Sequence, residues 1–353
     1  MALPRPASAG VVFPVDVKSP TPAITVVSLV RNQARWIDGC AESVLTQEGP
    51  PLEWLVVDNA SEDDTRERLK AWAARDVRVR LHFAGENLRQ ADGLACALQF
   101  VQTPFIAILD GDDLALPGRL ARSLGWLGGD SRRPAVYGAA QFIDEAGRAT
   151  APWFIARDAG ALRRMAEFTM PAIHSTSAWR SDWLRANVAP MPGAAMVHDY
   201  FLLTRALEDG EVGWLPEALA AYRVHAASES QQYPKRQLAA GMAISMAAAR
   251  RRAGWPAKID DLMEWAHEAA SRARSAVDLY TAAARRARAE SLPRHALYYA
   301  RRGVRRGQVN LLPLICRIFW DARDGRHRLW PILRGGLLAA ARVDSQGRSL
   351  PES

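Results

Sequence analysis

The chain has 353 residues, of which 49% are hydrophobic and 24% are charged. That balance is typical of a folded globular protein and excludes wholly disordered, collagen-like and disulfide-scaffold classes. The formal net charge of +8 is uneven: residues 236–353 carry 22 Lys and Arg against 10 Asp and Glu, whereas residues 1–235 carry 24 against 28. This asymmetry predicts two parts with different roles.

The cysteines and the N-terminus indicate a reducing compartment. Cys40, Cys96 and Cys316 are widely spaced and form no CxxC pair, which argues against disulfide frameworks and zinc ribbons. Residues 1–22 are rich in Pro, Ala and Ser and lack the apolar stretch of a signal peptide. The sequence has no run of about 18 uncharged apolar residues, so it predicts no membrane span. We therefore expect a cytoplasmic protein with a flexible N-terminal segment.

Strand and helix patterns alternate along the first part of the chain. Apolar runs predict buried strands at residues 24–30, 52–57, 77–83, 105–109 and 135–140. Helical spacing of apolar residues predicts helices at residues 37–45, 65–74, 91–101 and 199–207. This alternation indicates an α/β domain with a mixed, largely parallel sheet, and ligands of such sheets bind beyond the carboxyl ends of the strands.

The strongest chemical signal is the segment Ala107-Ile-Leu-Asp-Gly-Asp-Asp113. An apolar strand there runs directly into the three carboxylates of Asp110, Asp112 and Asp113. Clustered carboxylates repel one another unless a cation or hydrogen-bond donors compensate, and oxygen ligands suit Mg²⁺ or Mn²⁺. The alternative is a polar turn in which an Asp caps the helix that begins near Pro117.

Three further segments carry polar groups with a plausible chemical role. Asp58 ends the second predicted strand, where a carboxylate can accept a hydrogen bond from a base or a ribose. His198 and Asp199 begin a predicted helix and are either a cap or proton acceptors. Arg223 and His225 lie in Tyr222-Arg-Val-His225, where they suit a diphosphate or a metal, or else form an ordinary surface turn.

Taken in order, these segments resemble the family-2 inverting glycosyltransferases of GT-A fold. Val57-Asp-Asn-Ala-Ser-Glu-Asp-Asp-Thr65 is similar to the family's V-D-D-x-S-x-D-x-T, and Leu109-Asp-Gly-Asp-Asp113 is similar to L-D-x-D-D. Asp199 falls where the E-D motif has its Asp, and Tyr222-Arg-Val-His225 resembles the closing Y-R-x-H. The resemblance runs from about Ile24 to Ser230 and implies a GT-A (Rossmann-like) domain over residues 23–235.

The resemblance also implies a role for each matching residue. Asp58 would contact the nucleotide base. Asp110 and Asp112 would hold Mn²⁺ or Mg²⁺ and the diphosphate of a UDP-, GDP- or dTDP-linked sugar, with Arg223 and His225 assisting and His225 serving as a metal ligand. Asp199 would be the general base that deprotonates a hydroxyl of a carbohydrate, lipid-linked or protein acceptor. The implied activity is inverting, metal-dependent glycosyl transfer in polysaccharide, glycolipid or glycoprotein synthesis.

Two segments depart from the family pattern. His198 stands where the family usually has Glu before the catalytic Asp, and Asn87-Leu-Arg89 stands where the family often has Asn-x-Gly. The assignment of Asp199 as the base survives the first departure, and in the second Arg89 gives a different donor contact or the loop is reshaped. The alternative to an enzyme is a catalytically silent sugar-nucleotide-binding or scaffold protein of the same fold. A nucleotidyltransferase is disfavoured, because Arg31-Asn-Gln-Ala34 after the first strand has no glycine.

The basic C-terminal region, residues 236–353, is predicted to be α-helical from its Ala- and Arg-rich composition. Three interpretations of its charge stay open: a solvated face on a helical bundle, peripheral contact with the anionic inner face of a membrane, or nucleic-acid binding. Residues 311–320 and 329–338 are the best candidates for membrane contact. Nucleic acid is not expected as a partner, since no recognised binding module accompanies the charge.

Overall fold

A computed structural model describes residues 21–150, 156–188 and 197–304. These residues form two compact units, with the division between Gln232 and Tyr233. The first unit is a mixed eight-stranded sheet with helices on both faces, and the second unit is entirely helical within the described residues. The expected α/β fold with a C-terminal helical region is confirmed, and the boundaries predicted after residues 22 and 235 stay predictions.

The strands and helices that the sequence predicts lie within a few residues of observed elements, and further elements were not predicted. The strands are β1 (Ile24–Val30), β2 (Leu52–Asp58), β3 (Val79–Phe83), β4 (Phe105–Ile108), β5 (Leu114–Ala115), β6 (Ala135–Ile143), β7 (Ala178–Arg180) and β8 (Val212–Arg223). The helices of the first unit are α1 (Ile37–Leu45), α2 (Thr65–Arg75), α3 (Gln90–Leu98), α4 (Arg119–Gly128), α5 (Ala159–Met165), α6 (Ser181–Asn187), α7 (His198–Asp209) and α8 (Glu229–Gln232). A single 3₁₀ turn, His174–Thr176, precedes β7.

The sheet has the order β3-β2-β1-β4-β7-β6-β8-β5. Strands β1, β2, β3 and β4 are parallel, and their register pairs Val30 with Asp58 and Val27 with Ile108. The short strand β7 is antiparallel to both of its neighbours, β4 and β6. The carboxyl ends of β1, β2 and β4 therefore lie at one edge of the sheet, which is the edge that carries the predicted site.

Two apolar layers cover the sheet, one on each face. Successive residues of a strand point to opposite faces, so Val27 and Leu55 pack with α3, α6 and α7, whereas Val26 and Trp54 pack with α1, α2 and α4. Burial on both faces explains why β1 and β2 are continuous apolar runs rather than alternating ones.

The end of the sheet opposite the site is held by a buried polar network. Glu53 accepts a hydrogen bond from Thr25 Oγ1 (2.7 Å) and pairs with Arg80 Nη1 (3.0 Å). The Thr25 and Thr103 hydroxyls are 2.7 Å apart, and Arg80 also donates to the Phe100 carbonyl at 3.1 Å. Side chains from β1 and β3 thus compensate the buried carboxylate of Glu53 on β2.

Arg80→Met is expected to destabilise the first unit by about 3–5 kcal/mol, because it leaves the Glu53 carboxylate buried without its partner. Urea unfolding followed by tryptophan fluorescence measures the loss. The double variant Arg80→Met with Glu53→Gln should recover much of it, since the neutral amide still accepts from Thr25. Arg132→Met is the control, because Arg132 is exposed and its pair with Asp130 is a surface contact. Equal losses in both single variants would contradict the prediction.

As far as residue 304, the second unit packs four helices: α9 (Pro234–Arg252), α10 (Ile259–Arg272), α11 (Ala276–Ala289) and α12 (Pro293–Val304). Ser275 and Asp278 form a capping box at the start of α11. Arg250 and Glu290 form a buried ion pair at 2.7 Å, and Tyr299 donates to Ser245 at 3.0 Å. No helix among residues 21–150, 156–188 and 197–304 is long and apolar enough to cross a membrane. The predicted membrane-contact segments, residues 311–320 and 329–338, lie outside the described residues.

Candidate active site

A contact between the side chains of two predicted site residues joins Asp112 to His225. His225 Nε2 lies 2.8 Å from Asp112 Oδ2, although the two residues are 113 positions apart in sequence. His225 is buried and packs against the Trp36 ring, with ring centroids 4.3 Å apart. The end of β8 and the turn after β4 therefore meet, and the paired carboxylate and imidazole present one oxygen and one nitrogen ligand type.

Asp113, the next residue, is buried more deeply than Asp112. Its Oδ1 accepts from the Arg223 backbone N–H at 2.7 Å. Burial, reinforced by the charges of Asp112 and Asp110, raises the pKa of Asp113 well above its ordinary value. Burial also raises the pKa of the Cys40 thiol behind this turn, and the same three aspartates add to that effect. The turn after β4 thus concentrates negative charge in a partly desolvated place.

Arg119 is a buried cation next to this turn that the sequence pattern did not single out. Its guanidinium donates to the backbone carbonyls of Ile108 and Ser177. Burial lowers the pKa of Arg119 to about 10, whereas the charges of Asp113, Cys40 and Asp110 act in the opposite direction. The sequence signal that could have found this buried cation is the position of Arg119 directly before Leu120, at the start of an amphipathic helix and among apolar residues.

The Arg223 side chain links the turn after β4 to the turn after β6 through hydrogen bonds. Its guanidinium donates to the backbone carbonyls of Asp112 (2.7 Å), Asp144 (3.0 Å) and Glu145 (3.1 Å). These bonds hold the turn after β6 against the turn after β4 and so position Asp112. The predicted contact of Arg223 with a diphosphate stays a prediction.

Asp58 lies at the carboxyl end of β2 and is fully buried. Its Oδ2 accepts from Arg66 Nε and from the Ser61 N–H (3.3 Å), whereas its Oδ1 has no hydrogen-bond partner among the described residues. The neighbouring Asn59 pairs with both backbone groups of Leu88, at 2.6 and 2.7 Å. Asp58 therefore retains an unsatisfied acceptor, and its predicted contact with a base stays a prediction.

Asp199 lies in the first turn of α7 and is half-buried. Burial raises the pKa of Asp199 above its ordinary value, while His198 and the Tyr200 N–H, which donates to Oδ1 at 2.8 Å, act to lower it. His198 itself is buried, and its ring is perpendicular to that of His174 with centroids 5.0 Å apart. The residue that replaces the family's Glu is thus packed against a second histidine, a pairing that the sequence did not predict.

A cleft lies between the turn after β4 and the start of α7. Its water-accessible volume is about 10 Å³, which is room for about one water molecule. Its lining residues are Val27, Leu29, Gln90, Leu94, Ile108, Asp110, His174 and His198. Asp110 and His198 place this cleft between the predicted metal ligands and the predicted base.

The chemistry of the site fits a divalent cation that arrives with a substrate. Within the described part of the chain, no group of three or more His, Cys, Asp or Glu side chains is arranged to hold a metal ion. Mg²⁺ and Mn²⁺ are commonly held by one or two carboxylates, with phosphate oxygens and water completing the shell. Asp112, with His225 in contact, offers one such carboxylate, and metal binding by Asp110, Asp112 and His225 stays a prediction.

Gly111 allows the turn between Asp110 and Asp112 to pass close to α1. A Cβ at Gly111 would lie 2.2 Å from Gln33 Oε1 and 2.6 Å from Val30 Cγ1. Gly111→Ala should therefore displace this turn, cost about 1–3 kcal/mol of unfolding free energy and weaken any ligand held by Asp112. Gly125→Ala is the matched control, because no atom lies within 4 Å of its Cβ position in α4. Thermal unfolding of both variants checks the prediction, and an equally stable Gly111→Ala protein would contradict it.

The mixed sheet with carboxylates after β2 and β4 fits the GT-A fold that the sequence motifs predict. Residues 25–184 match the family model described as Glycosyl transferase family 2. This match confirms the resemblance to family-2 glycosyltransferases that the sequence motifs carry.

Two relatives named for polysaccharide synthesis match part of the chain. The chain is 31% identical over 103 residues to "Putative teichuronic acid biosynthesis glycosyltransferase TuaG" of Bacillus subtilis, which is 29% of this chain and 41% of that protein. It is 35% identical over 103 residues to "Succinoglycan biosynthesis protein ExoO" of Rhizobium meliloti, which is 29% of each chain. The chain thus spans less than half the length of these relatives.

Solved structures share the fold over more of the chain. The mannosyltransferase PcManGT from Pyrobaculum calidifontis, in complex with GDP-Man and Mn²⁺, is 20% identical with a TM-score of 0.52, and the match covers 93% of this chain and 89% of that one. S. aureus TarS 1–349 in complex with UDP-GlcNAc is 15% identical with a TM-score of 0.52, covering 81% and 93%. At these identities the likeness establishes the GT-A fold.

Proposed function

We propose that this protein is an inverting, metal-dependent glycosyltransferase that moves a sugar from a nucleoside-diphosphate sugar to an acceptor hydroxyl. The observation that supports it most is the contact between Asp112 and His225 at 2.8 Å. It joins two segments that are distant in sequence at the edge of the sheet where GT-A domains are expected to bind a donor. Two of the four motifs that carry the family resemblance, at residues 109–113 and 222–225, are therefore also neighbours in space.

In this proposal, Asp112, Asp110 and His225 would hold Mn²⁺ or Mg²⁺ together with the donor diphosphate. The cation would supply positive charge that stabilises the leaving diphosphate. Its presence would also compensate the negative charge that Asp110, Asp112 and Asp113 accumulate at the turn. The Arg223 guanidinium keeps Asp112 in place by donating to the backbone carbonyl of Asp112. Asp58 would supply an acceptor for an N–H group of the nucleotide base.

Asp199 is the proposed general base. It takes the proton of the acceptor hydroxyl while the hydroxyl oxygen bonds to the anomeric carbon, and the bond from that carbon to the diphosphate oxygen breaks. Attack from the face opposite the leaving group inverts the anomeric configuration. Burial raises the pKa of Asp199, which makes its carboxylate a stronger proton acceptor than an exposed one.

The names of the relatives support an acceptor in polysaccharide synthesis. TuaG and ExoO are named for teichuronic acid and succinoglycan biosynthesis. We propose a carbohydrate acceptor, with lipid-linked or protein acceptors as the other classes to test. Cytoplasmic location and contact of residues 236–353 with an anionic membrane also stay predictions.

Isothermal titration calorimetry tests this function on the full chain. UDP, GDP and dTDP are titrated with Mn²⁺ and again with EDTA, and we expect one of them to bind only when the metal is present. Failure of all three to bind with Mn²⁺ would overturn the proposal. If the matching nucleotide sugars bind but neither transfer nor slow hydrolysis releases the nucleotide, the protein is the catalytically silent alternative.

A further inference from the structure

The 3₁₀ turn before β7 contacts the carboxylate turn after β4 through the side chain of Ser175. The Ser175 hydroxyl donates to Asp110 Oδ2 at 3.2 Å and accepts from the Asp110 backbone N–H at 3.1 Å. Ser175 is fully buried and lies 65 positions from Asp110 in sequence. One hydroxyl group therefore holds both the main chain and the carboxylate of a proposed metal ligand.

Ser175 is itself fixed by the hydrogen bonds of the two residues that follow it. Thr176 Oγ1 accepts from the Gly138 N–H of β6 at 3.4 Å. The Ser177 carbonyl accepts from the Ile108 N–H of β4 at 3.1 Å. Thr176 and Ser177 are fully buried as well. Because the turn is anchored to two strands of the sheet, the Ser175 hydroxyl is presented to the carboxylate turn from a rigid support.

Asp113, the last carboxylate of the turn, is also near this hydroxyl. Burial raises the pKa of Asp113, and a hydrogen bond from Ser175 acts in the opposite direction. Asp113 Oδ1 accepts from the Arg223 N–H, however, and its Oδ2 has no hydrogen-bond partner among the described residues. Asp110 makes two contacts with the hydroxyl, so the geometry favours Asp110 as the residue that Ser175 holds.

A buried hydroxyl in this place can orient a metal ligand without touching the metal. Groups that hydrogen-bond a metal ligand fix its orientation, and their loss typically costs 10–100-fold in metal affinity or activity. A serine hydroxyl has one donor and two acceptor positions, which is enough to bind the carboxylate and the backbone N–H of Asp110 together. Ser175 has no exposed surface, so any effect on a ligand must pass through a neighbour.

We propose that Ser175 is a positioning residue that orients the Asp110 carboxylate for the cation that accompanies the donor diphosphate, and that it acts through Asp110. This inference rests on the proposed function, because Asp110 is a metal ligand only in that proposal. Ser175 would serve Asp110 by a hydrogen bond to its carboxylate, whereas Arg223 holds Asp112 by its backbone carbonyl.

Calorimetry on the full chain tests this role. The probe is whichever of UDP, GDP and dTDP binds the unsubstituted protein with Mn²⁺. Ser175→Ala should weaken that binding by about tenfold, in the range typical of groups that support metal ligands. Ser175→Cys fills the same space with a weak donor, so it should lose nearly as much. Thermal unfolding without Mn²⁺ checks that both variants are folded.

Ser177→Ala is the matched control. Ser177 lies on the same segment and is equally buried, but its hydroxyl accepts from Trp179 Nε1 at 2.9 Å. The variant keeps the Ser177 carbonyl and its bond to β4. Its melting temperature should fall about as much as that of Ser175→Ala, while metal-dependent binding of the nucleoside diphosphate stays unchanged.

Double variants test whether Ser175 acts through Asp110. Residues in contact that act as one unit give losses that do not add. With Asp110→Asn, which itself weakens binding in the proposed function, Ser175→Ala should therefore cause little further loss. With Asp113→Asn, Ser175→Ala should keep its full effect, because Asp113 does not carry the contribution of the hydroxyl.

The outcomes separate this inference from the function on which it rests. If the nucleoside diphosphate binds with Mn²⁺ and Ser175→Ala binds it equally well, the positioning role is refuted and the proposed function stands. The same holds if Ser177→Ala loses as much binding, or if the losses of Ser175→Ala and Asp110→Asn add in full. If no nucleoside diphosphate binds to the unsubstituted protein, the proposed function fails, and this inference fails with it.

Discussion

Asp199→Asn is expected to lower kcat by about 10²–10⁴-fold, the contribution typical of a general base. The amide keeps the shape of the side chain and its ability to accept from the Tyr200 N–H, but it cannot take the proton of an acceptor hydroxyl. Donor binding should be unchanged, because Asp199 does not belong to the proposed metal and diphosphate site. Steady-state kinetics and calorimetry of the donor measure the two quantities separately.

A loss of kcat in Asp199→Asn can be distinguished from a loss of folding in two ways. Burial raises the folded-state pKa of Asp199, so ionisation of this carboxyl opposes folding as the pH rises through the ordinary carboxyl range. The uncharged Asn should therefore leave the melting temperature at neutral pH the same or higher. Asp209→Asn, at the other end of α7 and in contact with Trp183 Nε1 at 3.2 Å, is the control that should keep full kcat.

The pH profile provides an independent check on the base. Because the active form of Asp199 is the carboxylate, kcat should fall as the pH falls through its raised pKa. The acid limb should lie above the range of an exposed aspartate and should be absent from the residual activity of Asp199→Asn. A profile with an unchanged acid limb in that variant would assign the proton transfer to another group.

Asp112→Asn is expected to weaken metal-dependent binding of the nucleoside diphosphate by at least about 10–100-fold. Substitutions of groups that only support metal ligands already cost that much, and Asp112 is proposed to bind the cation directly. The amide also loses its charge-assisted contact with His225. Calorimetry across a series of Mn²⁺ concentrations measures the effect, and unchanged binding would exclude Asp112 as a metal ligand.

The neighbouring Asp113 offers a matched control for this variant. Asp113→Asn removes the same charge one residue further along but keeps an oxygen that can accept from the Arg223 N–H. Burial and the nearby carboxylates raise the pKa of Asp113, which means that its ionised form is unfavourable in the folded protein. The neutral amide in Asp113→Asn therefore removes an unfavourable buried charge. Donor binding should stay within about threefold of the unsubstituted protein, whereas comparable losses in both variants would indicate a general effect of charge on the turn.

The local patterns of the sequence predicted the first half of the fold accurately. The predicted strand at residues 24–30 and the helix at residues 37–45 coincide with β1 and α1. Both depend on short-range information: burial on two faces demands a continuous apolar strand, and one buried helix face demands apolar residues at helical spacing. Asp58 and Asp110 could be placed at strand ends for the same reason, since each follows an apolar run directly.

Elements that depend on distant partners were not predicted. Strand β7 has only three residues, Ala178–Arg180, and exists because β4 and β6 lie on either side of it. Strand β8 extends over Val212–Arg223 despite Pro216 within it. No local pattern of apolar residues specifies these strands, because their hydrogen bonds come from segments far away in the chain.

The sequence by itself determined the class of the domain, the strand ends that carry carboxylates and the helical character of residues 236–304, the described part of the region predicted to be helical over 236–353. Only the tertiary structure decided which side chains meet: His225 with Asp112, the Arg223 guanidinium with three carbonyls, and His174 with His198. The physical reason is that apolar periodicity reports burial along one element, whereas the partners of a buried polar group come from other elements. Such partners become visible only when the sheet has brought the ends of its strands together.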